Sequence, residues 1–235
     1  MEQIHLSARL QAIADLIPEG SSVVDVGTDH GYLPIWLAQR GHCKKLAASD
    51  VHRGPLEHAK RSAKEFDLEE RIEFALCSGL QFKNSREYDT VVIAGMGGET
   101  IQMILEQDPW ALEKCTLILQ PNSKIETIQE WLREQNCGIQ MARLVKDSGR
   151  IYQILVVSGH GGVVKHTPGQ DLVDPLFFQQ REPLLPEYLK VLIEKYQRSV
   201  DGLRQGQVSD GRLELTEQLL EELRAMEKET ETWQL

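Results

Sequence analysis

The sequence predicts an α/β fold, a mostly parallel seven-stranded sheet with helices on both faces, followed by a C-terminal α-helical hairpin. Three observations lead there. Short β-branched runs alternate with segments of helical periodicity up to Leu132. The next two apolar runs follow each other with no helix between them, so the sheet ends in an antiparallel element. Two long amphipathic stripes then close the chain.

Leu6, Leu10, Ile13, Ala14 and Ile17 recur at helical spacing until Pro18-Glu19-Gly20. The run 22–26 is the first strand and breaks into a glycine turn. Tyr32 to Gln39 reads as a helix, with Pro34 tolerable in its first turn. Residues 45–49 form a second strand ending at Asp50, before a helix through Leu56, Ala59 and Ala63. Strands follow at 72–76, 90–94 and 116–119. Gly95-Met96-Gly97-Gly98 leads into a helix with Ile101, Ile104 and Leu105; Ile125, Ile128 and Leu132 mark the next. Strands around 139–145 and 151–157 are joined by Lys146-Asp147-Ser148-Gly149. Ser158-Gly159-His160-Gly161-Gly162 reads as a linker, which sets domains at 1–160 and 161–235. Leu189, Leu192, Tyr196, Val200 and Leu203 form one helical stripe, and Leu215, Leu219, Leu223 and Met226 the other.

The 235 residues are 41% hydrophobic and 26% charged, which suits a folded globular chain. Net charge is −10, shared equally between the two expected domains, so neither is a basic polyanion-binding tail. The four cysteines form no C-x-x-C pair, and no closely spaced Cys/His ligands predict a metal. The N-terminus has no signal-peptide pattern and no stretch approaches a membrane span, so a cytoplasmic location is expected.

The chemistry gathers at the ends of strands. Asp25-Val26-Gly27-Thr28-Asp29-His30-Gly31-Tyr32 is a strand, a glycine turn and a helix start, a device for nucleotide-like ligands. The spacing is not G-x-G-x-x-G, so by itself it could be a tight structural turn. Asp50 ends the next strand about 20 residues on, where a carboxylate accepts from ribose hydroxyls. The same aspartate alone would suit a helix cap. Two carboxylates, Asp25 and Asp29, would repel a pyrophosphate but attract the sulfonium and ammonium of S-adenosylmethionine. The turn therefore favours a methyl donor over a nicotinamide dinucleotide. The Gly95–Gly98 glycines would let a flat base or a backbone approach, and Gln120-Pro121-Asn122 ends the neighbouring strand at the same edge.

Val24-Asp25-Val26-Gly27-Thr28-Asp29-His30-Gly31-Tyr32-Leu33-Pro34, Ile93-Ala94-Gly95-Met96-Gly97-Gly98 and Leu119-Gln120-Pro121-Asn122 closely resemble the bacterial TrmK family. Those proteins are tRNA (adenine-N1)-methyltransferases acting on position 22. The resemblance covers most of the chain and implies a Rossmann-like class I methyltransferase domain with a C-terminal coiled-coil extension. It further implies that Asp25, Gly27, Thr28, Asp29, Gly31 and Tyr32 surround the methionine part of S-adenosyl-L-methionine. Asp50 would hold the ribose, with Val51 also at the donor; Ser78 and Gly79 would lie by the adenine. Ala94, Gly95, Met96 and Gly97 would line the place of methyl transfer. Ser78 departs from the acid that many methyltransferases carry there.

N1 of neutral adenine already has a lone pair, so in-line positioning should dominate catalysis. A carboxylate near the ring would stabilise its developing charge, and Asp29 is the candidate. It serves the donor, the target base or both. N1 is hidden in folded tRNA, so the base is expected to be extruded. Substrate candidates are His30, Arg53, Lys60, Arg61, Gly98, Pro121 and Asn122. The wider basic run Arg9, Lys44, Lys45, His52, Arg53, Lys60, Arg61 and Lys64 could contact phosphates or simply be solvated helix faces. The competing classes are a methyltransferase of another substrate and a non-catalytic RNA-binding protein with a degenerate donor pocket. The chain could be a monomer or a weak oligomer.

Overall fold

β1 (Ser22–Val26) lies at the centre because Val23, Val24 and Val26 are β-branched and are buried with almost no exposed surface. In this computed structural model it pairs in parallel with β2 (Lys45–Asp50) on one side and β4 (Thr90–Gly97) on the other. β3 (Glu73–Leu76) extends the sheet beyond β2, and β5 (Thr116–Ser123) extends it beyond β4. β7 (Arg150–His160) joins β5 antiparallel and β6 (Cys137–Asp147) closes the edge, giving the order β3-β2-β1-β4-β5-β7-β6. The sheet thus has seven strands, parallel except at the hairpin end. The residues described are 3–161, 165–206 and 211–234.

The helices bury the stripes their periodicity announces. α1 (Ala8–Ala14) is capped by Ser7, whose hydroxyl accepts from Leu10 N–H, and it buries Ala12, Ile13 and Ala14. It is shorter than the periodicity suggests, since Leu16 and Ile17 turn away before Pro18. α2 (Tyr32–Arg40) takes Pro34 in its first turn and ends on the left-handed Gly41. α3 (Arg53–Glu65) buries Leu56, Ala59 and Ala63; the small Ala59 lets Gly31 come so near that a Cβ on Gly31 would stand 3.0 Å from Ala59 Cβ. α4 (Gly98–Gln107) follows β4, α5 (Trp110–Lys114) is a short helix the periodicity did not announce, and α6 (Ile125–Glu134) buries Ile128, Trp131 and Leu132.

The chain divides into two compact units, Met1–Val164 and Lys165–Leu235. In the second, Thr167 caps α7 (Pro168–Leu172) with a reciprocal capping box, and α8 (Leu176–Gln179) follows. α9 (Leu185–Gln205) buries Leu185, Tyr188, Leu189, Leu192 and Val200, and α10 (Arg212–Glu231) buries Leu220, Leu223 and Thr230. Arg204 meets Glu217 at 2.6 Å and Arg224 donates to Gln197 at 2.7 Å, so the two helices run antiparallel.

Several strand boundaries differ from the sequence expectation because cross-strand pairing extends a strand past its apolar run. Gly95, Met96 and Gly97 belong to β4, and Gln120, Pro121, Asn122 and Ser123 to β5, because these ends pair with each other across two register shifts. Ser158, Gly159 and His160 complete β7 and are not a linker; Gly161 N–H still donates to Asn136 O at 2.9 Å. Gly162 lies outside the described residues. The stretch before Pro186 is not merely a linker either, since it contains α7 and α8.

Candidate active site

The strand order reverses between β1 and β4, and in open α/β sheets the crevice at that reversal collects ligands. The turn after β1 is anchored by Gly27 N–H and Thr28 N–H, which both donate to Ser49 O at 2.8 and 3.3 Å. Gly27, Asp29 and Gly31 have φ of 76°, 43° and 72°, so the chain needs glycine twice and an aspartate, which tolerates the left-handed region, once. A side chain at Gly27 would also collide with Met96 Cε, 2.2 Å from the Cβ position.

The two carboxylates of this turn sit in contrasting places. Asp25 is buried and accepts from Thr28 Oγ1 at 2.7 Å. Burial pushes its carboxyl up to about 6; the Thr28 hydroxyl and the nearby Arg9 charge pull it down, and Asp50 adds to the rise. The Asp29 side chain is 72% exposed, with His30 Nε2 3.6 Å from its Oδ2. The His30 ring stacks on Tyr32 with centroids 5.3 Å apart, and His58 of α3 stands 5.7 Å from His30. The three rings form one cluster, of which His30 reaches the open carboxylate; His58 joins it from α3, and nothing local in the sequence connects it to the turn.

At the end of β2, Asp50 Oδ1 accepts from His52 N–H at 2.7 Å, and His52, not Asp50, occupies the N-cap of α3. Val51 beside it is exposed. After β3, Ser78 Oγ donates to Gln107 at 3.1 Å, and Gly79, with φ 56°, takes the Ser49 hydroxyl on its carbonyl at 2.8 Å. Ser78 and Gly79 thus stand over the end of α4, and Gly79 is tied to β2.

The end of β4 is built differently. Gly95 has φ 80°, and its carbonyl accepts from Asn122 Nδ2 at 2.8 Å. Asn122 Oδ1 accepts from Gln120 Nε2 at 3.0 Å, and Gln120 Oε1 accepts from Arg9 Nη1 at 2.6 Å. Ala94, Gly95, Met96 and Gly97 are thereby held against the end of β5. The sequence offers Arg9 only as a possible phosphate contact, and packing of α1 brings it here.

Three expectations for substrate contact need correction. Gly98 is buried, and a Cβ on it would stand 2.1 Å from Lys124 O, so its task is to let α4 and α6 approach. Pro121 is buried as the β5 partner of Met96. The linear basic run is split by the fold: Arg53 is exposed at the start of α3, whereas Lys44 and Lys45 lie at the start of β2, the opposite edge, where Lys45 pairs with Glu87. Lys60 pairs with Glu57 at 3.1 Å, while Arg61 stays exposed and Asn122 lies at the site. Among the described residues no cluster of His, Cys, Asp and Glu could hold a metal ion, and no helix is long and apolar enough to cross a membrane.

Order 3-2-1-4-5-7-6, a buried and an exposed carboxylate on the first turn, and Asp50 at the end of the second strand define a Rossmann-like methyltransferase domain. The model of that methyltransferase domain family matches residues 6–155, and the chain belongs to it. It is 35% identical over 157 residues to the tRNA (adenine(22)-N(1))-methyltransferase of Bacillus subtilis, a stretch covering 66% of each protein. A Streptococcus pneumoniae structure described as a putative tRNA (m1A22) methyltransferase in complex with S-adenosyl-L-methionine superposes with TM-score 0.77, at 30% identity over 93% of this chain and 99% of that one. The B. subtilis M1A22 tRNA methyltransferase TrmK superposes with TM-score 0.78, at 27% identity over 98% and 99%. Within the methyltransferases, this chain is a member of the TrmK family.

Proposed function

We propose that this protein methylates N1 of adenine 22 in tRNA with S-adenosylmethionine as donor. The observation that carries the reading is the first turn, with its buried Asp25 and open Asp29 at the strand-order reversal, in a chain so similar to the B. subtilis enzyme. The bound donor supplies a methyl group activated by a sulfonium.

The residues fit such a donor. A buried carboxyl held near 6 is uncomfortable when ionised, and a ligand cation relieves that discomfort, so Asp25 favours an ammonium or sulfonium over any anion. Gly27, Thr28, Gly31 and Tyr32 shape the turn around the methionine part. Asp50 accepts from the ribose hydroxyls, with Val51, Ser78 and Gly79 beside the adenine. Gly95 and Met96 offer a fixed backbone and an apolar side chain where the acceptor enters.

No general base is needed to expose the N1 lone pair. Asp29 stands open on the same turn and stabilises positive charge growing on the target ring. His30 beside it, with Tyr32 and His58 against the His30 ring, offers flat surfaces, and Arg53, Arg61 and Asn122 offer hydrogen bonds to the RNA. Residues 1–160 carry the donor site in this reading, and the helical hairpin of residues 161–235 orients the tRNA.

The test is incubation of the protein with labelled donor and an unmodified tRNA transcript, followed by nucleoside analysis. N1-methyladenosine is expected at position 22 and is expected to vanish when that adenine is replaced by guanine. Absence of transfer to any RNA would leave a methyltransferase of another substrate class.

A further inference from the structure

The Watson–Crick edge of adenine carries an acceptor, N1, beside a donor, the N6 amine, whereas guanine carries the reverse pair, N1–H beside O6. N1 has to stay unencumbered to attack the methyl group. The amine is therefore the group by which a site can tell that it holds adenine. Such a site needs a fixed hydrogen-bond acceptor beside the path of the methyl group.

The end of β4 supplies one. The pairing of β4 with β5 passes from Ala94 opposite Gln120 to Met96 opposite Pro121, so Gly95 is an extra residue, a bulge, with φ 80°. Pro121 has no N–H to offer that bulge. The Asn122 side chain offers one instead, and its Nδ2 donates to Gly95 O at 2.8 Å. The amide orientations behind this bond are settled, because arginine can only donate. Gln120 therefore presents Oε1 to Arg9, which turns its Nε2 to Asn122 Oδ1 at 3.0 Å and Asn122 Nδ2 to Gly95. Gln120 is wholly buried, which holds this chain of bonds in place. A carbonyl oxygen has two lone pairs, and on the exposed Gly95 the Asn122 amide engages one of them.

We propose that the Gly95 carbonyl accepts from the N6 amine of the target adenine, and that Asn122 is the positioning residue that aims this carbonyl. As N1 takes the methyl group the ring becomes cationic and its amine a stronger donor, so the bond strengthens toward the transition state. Guanine would bring O6 against the carbonyl, oxygen against oxygen. Selectivity is then carried by backbone, and the side chains behind it govern only its aim. The assignment rests on the adenine-N1 reading above and adds to it the group that recognises the base. The alternative is that Asn122 only ties β4 to β5 and the base is recognised elsewhere.

Purine riboside separates the two, since it keeps the N1 lone pair and lacks the amine. Full-length tRNA carrying either adenosine or purine riboside at position 22 is given, with labelled donor, to the wild-type chain and to Asn122→Ala, and the rate of methyl transfer to each is measured. The wild type is expected to prefer adenosine by about tenfold or more, and equal use of both would overturn the proposal. Asn122→Ala is expected to shrink that preference about fivefold or more, the size of one hydrogen bond. The lower intrinsic reactivity of purine riboside is common to both proteins and cancels in the comparison. Equal slowing of both substrates by Asn122→Ala would overturn the proposal and leave Asn122 a structural tie. Should Asn122→Ala transfer to neither, Asn122→Asp decides, because it keeps the shape and has no N–H to donate when ionised: a shrunken preference supports the assignment, and an unchanged one overturns it. A wild-type chain that transfers nothing to adenosine would overturn the adenine-N1 reading itself, and the Gly95 assignment with it.

Discussion

The turn after β1 and the junction of β4 with α4 are both glycine-rich, yet one presents side chains and the other presents backbone. After β1, glycines at 27 and 31 let the chain fold tightly while Asp29, His30 and Tyr32 project outward. At the junction of β4 and α4 the glycines are pressed against neighbours: Gly97 lies by Ser123, Gly98 lies under Lys124 O, and Gly95 is held by Asn122. The side chains of Asp29 and His30 on the first turn are exposed, so they are open to chemical variation with little harm to the fold. The second is a packed joint in which the same residue type is required for space.

That contrast can be broken first at Gly98. Alanine there would place a methyl group 2.1 Å from a backbone oxygen that cannot move without shifting α6, so a loss of about 3 kcal/mol in urea denaturation is expected. An unchanged midpoint would show that the joint is loose. Asp29→Asn tests the opposite claim. Its side chain is open, so stability should stay within about 0.5 kcal/mol. Turnover on tRNA should fall about a hundredfold while donor affinity changes much less. Matching losses in turnover and donor affinity would make Asp29 a donor ligand only.

Asp25 sharpens the comparison inside the first turn, with the smallest effect. Its carboxyl is raised from 3.8 to about 6 by burial. Below the lower value it is protonated folded or unfolded and adds no penalty. The penalty grows as pH rises from 3.8 to about 6 and is complete by pH 7. Asp25→Asn should therefore stabilise the ligand-free protein at pH 7 by about 2 kcal/mol in thermal or urea unfolding, with little effect at pH 4. In the wild type, donor affinity should decline as pH falls below about 6, because the cation then meets a neutral acid. Flat affinity between pH 5 and pH 8 would remove Asp25 from the donor's partners.

Much of this was legible in the residues. β-branched runs, helical stripes and Pro-Gly stops are local signals, and they located all seven strands and the long helices, with ends a few residues short where pairing carried a strand onward. The first turn could be read for the same reason, because positive φ, a glycine pair and two carboxylates lie within seven residues. The short helices α5, α7 and α8 carry too few turns for a periodic signal, and packing alone stabilises them.

By itself the sequence determined the alternation of strands and helices, the carboxylate turn and the acid at the end of the next strand, since each depends on neighbours a few residues apart. Only the tertiary structure decided which distant residues share the site. It carried Arg9 across 111 positions to Gln120, set His58 beside His30, and sent Lys44 and Lys45 to the edge away from Arg53. Those placements follow from how α1 and α3 pack on the sheet, and burial across the whole domain governs that packing while no local pattern records it.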